Sequence, residues 1–196
     1  MKFVSSFIFL LSLITLAKAQ KPAEPVLPVD ERGKFIYYEL VDVKVPKDSL
    51  KIRAINYLKK QNKELKFKSA QGDTAFTANG KMIINKTLLV MSHPSGEVLF
   101  DFQIEVRDGK YRFWLTDFNF IPYQRDRYGN FVASTTIGTP LENEPGKLNT
   151  AQWKEYQVQT AKYAKELAAK FKLHMASTTP IIAPPKVKTV VKKEWK

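Results

Sequence analysis

The chain has 196 residues, with 32 Lys or Arg against 19 Asp or Glu, and carries a formal net charge of +13. It contains no cysteine, which excludes disulfides, thiol catalysis, thiolate metal sites and acylation at an N-terminal cysteine. A hydrophobic fraction of 44% in a chain of this length is enough to bury a core without crosslinks.

The N-terminus has the pattern of a secretory signal peptide over residues 1–19. Lys2 precedes an uncharged apolar run, and Ala17 and Ala19 supply the small residues that a signal peptidase recognises. The run is too short to cross a bilayer as a helix, which disfavours a membrane anchor. We therefore expect an exported protein, periplasmic or extracellular, without a transmembrane segment in its mature chain. Residues 20–34 are rich in proline and are predicted to form an extended N-terminal segment.

Residues 35–173 are predicted to form a single α+β domain that begins with a strand and a helix. The segment FIYYELVDV at 35–43 is rich in aromatic and β-branched residues, which is typical of a strand. Pro46 ends it, and a helix follows to about Asn62. The apolar positions of this helix recur at helical spacing with lysines opposite, so they are expected to pack on the sheet: Leu50, Ala54, Tyr57 and Leu58.

Residues 65–90 are predicted to be β-structure, with one feature that the sequence leaves open. Asn79-Gly80 is either a hairpin turn or a glycine bulge within one long strand. The segment His93-Pro94-Ser95-Gly96 is predicted to be the turn before the next strand, because proline, serine and glycine favour turns.

Two alternating strands meet at Asp108-Gly109 and are predicted to pair as a hairpin over residues 97–121. Pairing Arg107 with Lys110 puts one wholly apolar face toward the core: Phe100, Phe102, Ile104, Val106, Tyr111, Phe113 and Leu115. The other face begins polar, as a solvated face should. Continued alternation then places three large aromatic side chains on that same face: Trp114, Phe118 and Phe120.

These three aromatic residues are the candidate binding face of the chain. One alternative is that the long loop or the C-terminal tail folds over them, because large apolar patches are rarely left uncovered. The other is an open platform that holds a base, a sugar or the apolar side chains of a partner. An error of one residue in the pairing would exchange the two faces.

A long loop is predicted at residues 122–148 and a C-terminal helix at 150–173. The helix carries an apolar stripe: Trp153, Tyr156, Thr160, Tyr163, Ala164, Leu167 and Phe171. Residues 174–196 form a basic, proline-containing tail with five lysines as candidate contacts to an anionic surface: Lys186, Lys188, Lys192, Lys193 and Lys196. The folded part keeps a charge near +7, which is expected to be spread rather than clustered.

The segments VDERGKFIYYELVDV, VPKDSLKIRAINYLKK and FDFQIEVRDGKYRFWLTDF together resemble a family of exported bacterial domains of unknown function with a TBP-like fold. The resemblance covers roughly residues 28–121. It implies a curved antiparallel sheet with two helices packed on one face and the opposite face open. It supplies no catalytic residues, and the name of the fold carries no function with it. The matching positions are Pro28, Val29, Asp30, Glu31, Gly33, Lys34, Tyr38, Leu50, Ala54, Lys110, Tyr111, Arg112, Asp117 and Phe118.

No catalytic arrangement is evident in the sequence. His93 lies in the predicted turn and is expected to be solvent-exposed, while His174 lies at a helix end, where the helix dipole favours the charged imidazolium. Asp101 and Asp117 are expected on opposite faces of the hairpin, which disfavours a paired-carboxylate hydrolase. We therefore expect no enzymatic activity, no metal and no cofactor, with an uncharacterised hydrolase as the less favoured alternative.

The sequence favours an exported, non-enzymatic binding or adaptor domain of the bacterial envelope, whose partner is an envelope protein, a peptide or a glycan. The alternative is a structural or assembly protein that docks through its basic tail or through a sheet edge. Nucleic acid is disfavoured as a partner because of the predicted export, despite the positive charge.

Overall fold

A computed structural model describes residues 26–61, 63–88, 91–143 and 149–177. The predicted signal peptide and the five candidate lysines of the tail lie outside the described residues. Within the described residues the chain forms seven strands and two helices. In chain order they are β1 (Tyr37–Asp42), α1 (Lys47–Lys60), β2 (Leu65–Gln71), β3 (Ala75–Leu88), β4 (Met91–Arg107), β5 (Lys110–Arg125), β6 (Phe131–Ala133), β7 (Thr139–Pro140) and α2 (Thr150–Ala176).

The strands form one curved antiparallel sheet in the order β1-β5-β4-β3-β2, and β6 and β7 pair with the far end of β5. Both helices pack on the same face of this sheet, where the hydrophobic core lies. The predicted fold class is therefore confirmed: an α+β protein with a curved sheet and two helices on one face. The opposite face of the sheet carries no helix among the described residues, and we call it the open face.

Helix α1 buries the stripe that its sequence predicts, and α2 buries all of its predicted stripe except Trp153 and Tyr163, which are partly buried. In α1 the buried residues are Leu50, Ala54, Tyr57 and Leu58. In α2 the ring of Phe171 is central to the core, with its centroid 5.0 Å from Phe113 and 5.3 Å from Phe102. Buried rings of this kind contribute strongly to stability because each removes a large apolar area from water. No described helix combines the length and the hydropathy that a bilayer span requires.

Strand β3 is continuous through Asn79-Gly80, so this pair is not a hairpin turn. The bulge lies instead in the neighbouring strand β2, between Phe67 and Ser69. Gly80 has a packing role, because the ring of Phe100 lies directly over its Cα and an added Cβ would collide with that ring. Glycine is needed here for the close approach of a neighbouring side chain.

The predicted turn at His93-Pro94-Ser95-Gly96 is wrong, since these residues belong to β4. Leu88 pairs with Met91, so β4 is paired with β3 from its first residue. The pairing slips near Gly96 by one residue, and this bulge accommodates the proline inside a strand. Turn-forming residues therefore mark an irregular strand here rather than its end.

The predicted long loop contains more regular structure than its sequence suggests. Strand β5 continues to Arg125 and turns at Gly129, which has a positive φ, into β6. The N-terminal segment also contributes to the core through Leu27, which is 6% exposed. Helix α2 runs to Ala176, three residues beyond the predicted end.

The positive charge of the described residues is concentrated on the two helices, and the expected spread is therefore wrong. Helices α1 and α2 together contain ten Lys or Arg and three Asp or Glu, a net charge of +7. All other described residues hold 13 basic and 13 acidic side chains, which cancel. The sheet and its loops are thus neutral overall, while the helical layer is strongly basic.

Candidate functional site

The hairpin of β4 and β5 begins with the pairing that the sequence predicts. Arg107 pairs with Lys110 across a turn in which Gly109 has a φ of 72°. The predicted core face is confirmed, since all of its residues are buried: Phe100, Phe102, Ile104, Val106, Tyr111, Phe113 and Leu115.

A bulge in β5 then interrupts this pairing. Asp101 still pairs with Thr116, but Leu99 pairs with Asn119, so Asp117 and Phe118 together oppose Phe100. Asp117 has a φ of 57°, the left-handed region that aspartate tolerates better than most residues. Because side chains alternate along a strand, one extra residue exchanges the two faces for everything that follows it.

The bulge corrects the predicted three-residue platform. Phe118 is 1% exposed and Phe120 is 7% exposed, so both belong to the core and not to the open face. The ring of Phe118 lies 6.0 Å from Phe100, and the ring of Phe120 lies 4.6 Å from Tyr156 of α2. Trp114, which precedes the bulge, is partly exposed and is the one member of the platform that remains on the open face.

Helix α2 and Leu141 cover the end of the sheet where Phe120 lies. The carbonyl oxygen of Leu141 accepts hydrogen bonds from Trp153 Nε1 at 3.0 Å and from Gln157 Nε2 at 2.9 Å. The ring of Trp153 in turn packs against the ring of Phe120, with 5.6 Å between their centroids. One residue of the predicted long loop therefore helps to bury Phe120, on the side of the sheet away from Trp114.

Two neighbours of Trp114 on the open face were missed in the sequence. Tyr38 pairs directly with Trp114 across β1 and β5, with 6.5 Å between the ring centroids. Tyr38 is 48% exposed, and Leu40 on the same side of β1 is 54% exposed. The signal for them was present, because FIYYELVDV is apolar at alternate positions on both faces rather than on one. We call Tyr38, Leu40 and Trp114 the open-face patch.

An ion pair holds a cation against this patch. Arg112 Nε donates to Glu105 Oε2 at 2.8 Å, and the guanidinium carbon lies 5.5 Å from the centre of the Trp114 ring. The hydrogen bond to Glu105 raises the pKa of Arg112 above its ordinary value, so the guanidinium stays charged. A cation over an indole face is favourable and fixes the orientation of the ring.

A shallow depression of about 160 Å³ opens beside the patch, between the ends of β1, β4 and β5. Two further cations line it, Arg107 and Lys110, and neither forms an ion pair with another described residue. The remaining lining residues are Tyr38, Leu40, Glu105, Tyr111 and Arg112. The depression therefore combines apolar walls with uncompensated positive charge, a lining that suits a carboxylate next to an apolar group.

The two histidines do not form a site. The His93 ring stacks on Phe131 with 5.9 Å between the centroids. His93 is only partly exposed, whereas the predicted turn would have exposed it to solvent. His174 Nε2 lies 3.2 Å from the carbonyl oxygen of Arg53. Burial lowers the pKa of His174, so the expectation of a stabilised imidazolium is wrong. Among the described residues, no group of three or more His, Asp or Glu side chains is arranged to hold a metal ion.

Part of the chain matches the model of a known protein family. Residues 48–121 match the model of DUF4468, described as a domain of unknown function with a TBP-like fold. The matched region begins in α1 and ends within β5, and therefore contains the bulge and Trp114. The resemblance inferred from the sequence, to a family of unknown function with a TBP-like fold, is confirmed.

Two solved structures share this fold. A DUF4468 family protein from Bacteroides ovatus ATCC 8483 has a TM-score of 0.59 at 10% identity, over 84% of this chain and 99% of its own. A TBP-like protein from Parabacteroides distasonis ATCC 8503 has a TM-score of 0.55 at 15% identity, over 76% of this chain and 96% of its own. At such identities the likeness concerns the fold alone. No curated protein is similar to the chain in sequence.

Proposed function

We propose that this chain, whose residues 48–121 match the DUF4468 model, is a non-enzymatic binding module of the bacterial envelope. Its binding surface is the open-face patch with the adjoining depression. The pattern of residues 1–19 supports export to the periplasm or the cell exterior. Release of the native protein by osmotic shock or into the medium would test this location, and retention in the cytoplasm would contradict it.

The observation that carries the proposal is the exposure of the open-face patch. Tyr38 and Leu40 are about half exposed beside Trp114, although the same sheet buries Phe118 and Phe120 on its other face. Large apolar groups left adjacent on a surface are typical of binding sites. Aromatic side chains are also effective contact residues, because they bury much area while losing little conformational freedom.

The chemistry of the depression favours an extended peptide with acidic and aromatic or apolar residues. The free cations Arg107 and Lys110 would attract carboxylates, while Tyr38 and Leu40 would contact apolar side chains. Arg112 is already paired with Glu105, which makes it a positioning group for Trp114 rather than the main anion contact.

The sheet edge offers a way to hold such a peptide. Strand β1 pairs with β5 on one side, and no other described strand pairs with its outer edge. The opposite edge, β2, is protected by a bulge and by exposed lysines, features that prevent strand addition. An added strand on β1 would run beside Tyr38 and Leu40, and this unprotected edge also supports the alternative of an assembly protein that docks through β1. Docking through the basic tail remains a separate proposal, since that segment lies outside the described residues.

Selection from a display library of random peptides on the immobilised full chain would test the binding surface. We expect enriched peptides to combine acidic residues with an aromatic or branched apolar residue. A Tyr38→Ala, Trp114→Ala double variant should bind the enriched peptides about tenfold more weakly or worse, because interface aromatics often dominate binding energy. Methylation of alternate peptide amides should also weaken binding if the peptide adds to β1.

Tyr128→Ala is a matched control, because Tyr128 is 73% exposed but lies in the turn between β5 and β6. Its binding should equal that of the unaltered chain. Enriched peptides that bind the double variant as well as the unaltered chain would exclude the open-face patch as the site. Enrichment of basic peptides would exclude the assigned ligand chemistry.

A further inference from the structure

The outer surface of the two helices takes no part in the proposed binding site. All of the net charge of the described residues, +7, lies on α1 and α2. These helices cover the face of the sheet opposite to the open-face patch. The protein therefore presents a basic surface on one side and a charge-balanced sheet on the other.

The lysines of this surface are exposed and mostly unpaired. Lys51 pairs with Asp73 at 2.5 Å and Lys172 pairs with Glu39 at 2.6 Å. Six other helical lysines are exposed, and no ion pair with another described residue compensates them: Lys59, Lys60, Lys154, Lys162, Lys165 and Lys170. Their charge is thus available to an external anionic partner, and we call these six residues the lysine surface.

We propose that the lysine surface docks the protein on an anionic phospholipid bilayer. Charge complementarity supports this occupant, because each lysine close to an anionic membrane strengthens binding by about fivefold. Leu173, which is 76% exposed in the last turns of α2, adds an apolar contact next to Lys170. An exposed apolar residue among lysines can enter the membrane interface while the lysines contact the anionic head groups.

The residue types favour a bilayer over a nucleic acid. Every exposed cation of the surface is a lysine, a flexible point charge that suits mobile head groups, whereas nucleic-acid sites favour arginine forks and stacking aromatics. The lysines are also spread over two neighbouring helices rather than gathered in a groove. Docking through this layer would leave the open-face patch directed away from the membrane.

Sedimentation with vesicles tests the proposal on the full chain. We expect binding to vesicles of phosphatidylglycerol and phosphatidylcholine in equal parts, with little binding to phosphatidylcholine alone. The affinity should fall steeply between 50 and 300 mM salt, because counterions screen exposed charges over distances of about 8 Å near 150 mM. Equal binding to both kinds of vesicle would overturn the proposal.

A matched pair of triple variants separates the lysine surface from net charge. Replacement of Lys162, Lys165 and Lys170 by Gln should weaken binding to the anionic vesicles by tenfold or more. Replacement of three sheet lysines by Gln removes the same charge and should change binding less than threefold: Lys66, Lys68 and Lys81. Thermal unfolding of both variants checks that each is folded. Equal losses in the two triple variants would overturn the proposal.

Two further measurements distinguish other occupants. If replacement of the tail lysines by Gln abolishes binding while the helical triple variant binds normally, the tail is the membrane contact and the lysine surface is not. Tighter binding to a short DNA duplex than to vesicles of equal phosphate concentration would replace the bilayer by nucleic acid. Trp114→Ala should leave vesicle binding unchanged, so this proposal and the peptide-binding proposal can fail separately.

Discussion

The open face and the helical layer of this protein treat charge in opposite ways. On the open face, three cations sit beside acids, while Arg107 and Lys110 in the depression do not: Arg112 with Glu105 at 2.6 Å, Lys81 with Glu97 at 3.4 Å and Lys68 with Asp101 at 3.7 Å. On the helical layer, the acidic partners are too few and most lysines remain unpaired. Pairing across a sheet fixes side-chain positions, whereas unpaired lysines remain free to adapt to an outside partner.

The difference shows what each face can recognise. Fixed cations such as Arg112 orient Trp114, so the open face has a defined shape that suits a specific ligand. The lysine surface lacks such fixed partners, so it suits a fluid surface of many equivalent anions. Apolar exposure follows the same division, since Tyr38 and Leu40 are exposed on the open face while only Leu173 is a strongly exposed large apolar residue on the described helices.

The largest effect that can break this comparison is expected at Phe118. The bulge at Asp117 turns Phe118 to the covered face of the sheet, the face on which the two helices pack. Phe118→Ala therefore creates a cavity in the core and should destabilise the fold by about 3–5 kcal/mol. Urea unfolding followed by far-UV circular dichroism measures this change.

Trp114→Ala is the matched change on the open face, three residues before the bulge. It removes a partly exposed ring and its contact with Arg112, and should cost about 1 kcal/mol. Similar costs for Phe118→Ala and Trp114→Ala would mean that both rings lie on one face, as uninterrupted alternation of the sequence predicts.

The elements with a simple period could be predicted from the sequence. The sequence predicts helix α1 and its four buried residues, because apolar residues at helical spacing form the buried face of an amphipathic helix. The core face of the hairpin was predicted for the same reason, with a period of two up to Leu115. The candidate site required the pairing beyond Leu115, where Thr116-Asp117 interrupts the alternation before Phe118 resumes it.

Bulges explain why the pairing and the faces of the strands were not fully predicted from the sequence. A bulge is a local slip whose energy depends on both strands, so one strand's residues seldom reveal it. Three such slips occur among the described strands, near Lys68, Ser95 and Asp117. The bulge at Asp117 places Phe118 and Phe120, two of the three candidate residues, on the core face instead of the open face. The bulge at Ser95 lies in a strand whose residue types are typical of a turn. Long-range coverage, such as that of Phe120 by Trp153, which is hydrogen-bonded to Leu141, also depends on tertiary packing that composition does not encode.

A moderate effect that sharpens the comparison is expected at Gly80. Gly80→Ala forces a methyl group against the Phe100 ring and within 2.9 Å of Leu65 Cδ2 on the covered face. Overpacking of this kind should cost about 1–3 kcal/mol. The neighbouring change Asn79→Ala, on the open face, removes an exposed hydrogen bond to Asp101 and should cost less than about 1 kcal/mol. Equal unfolding midpoints for the two variants would contradict the close packing over Gly80.

The smallest effect concerns His174, which the covered face holds between charged neighbours. Burial is the main cause of its lowered pKa, and Lys60 and Arg53 lower it further, while the hydrogen bond to the Arg53 carbonyl opposes them. The ring of Tyr57 lies tilted against the imidazole, with 5.4 Å between the ring centroids. Because the unfolded chain then takes up the proton more readily than the folded protein, stability should fall as the pH drops below about 6.5.

Urea unfolding at pH 7.5 and pH 5.0 measures this dependence, with His174→Gln as the comparison. The variant should lose less stability on acidification than the unaltered chain, because glutamine cannot bind the proton, and the remaining loss reports other titrating groups. The same loss in both proteins would show that His174 is no less accessible to protons in the fold than in the unfolded chain. The pH response would then come from groups other than His174.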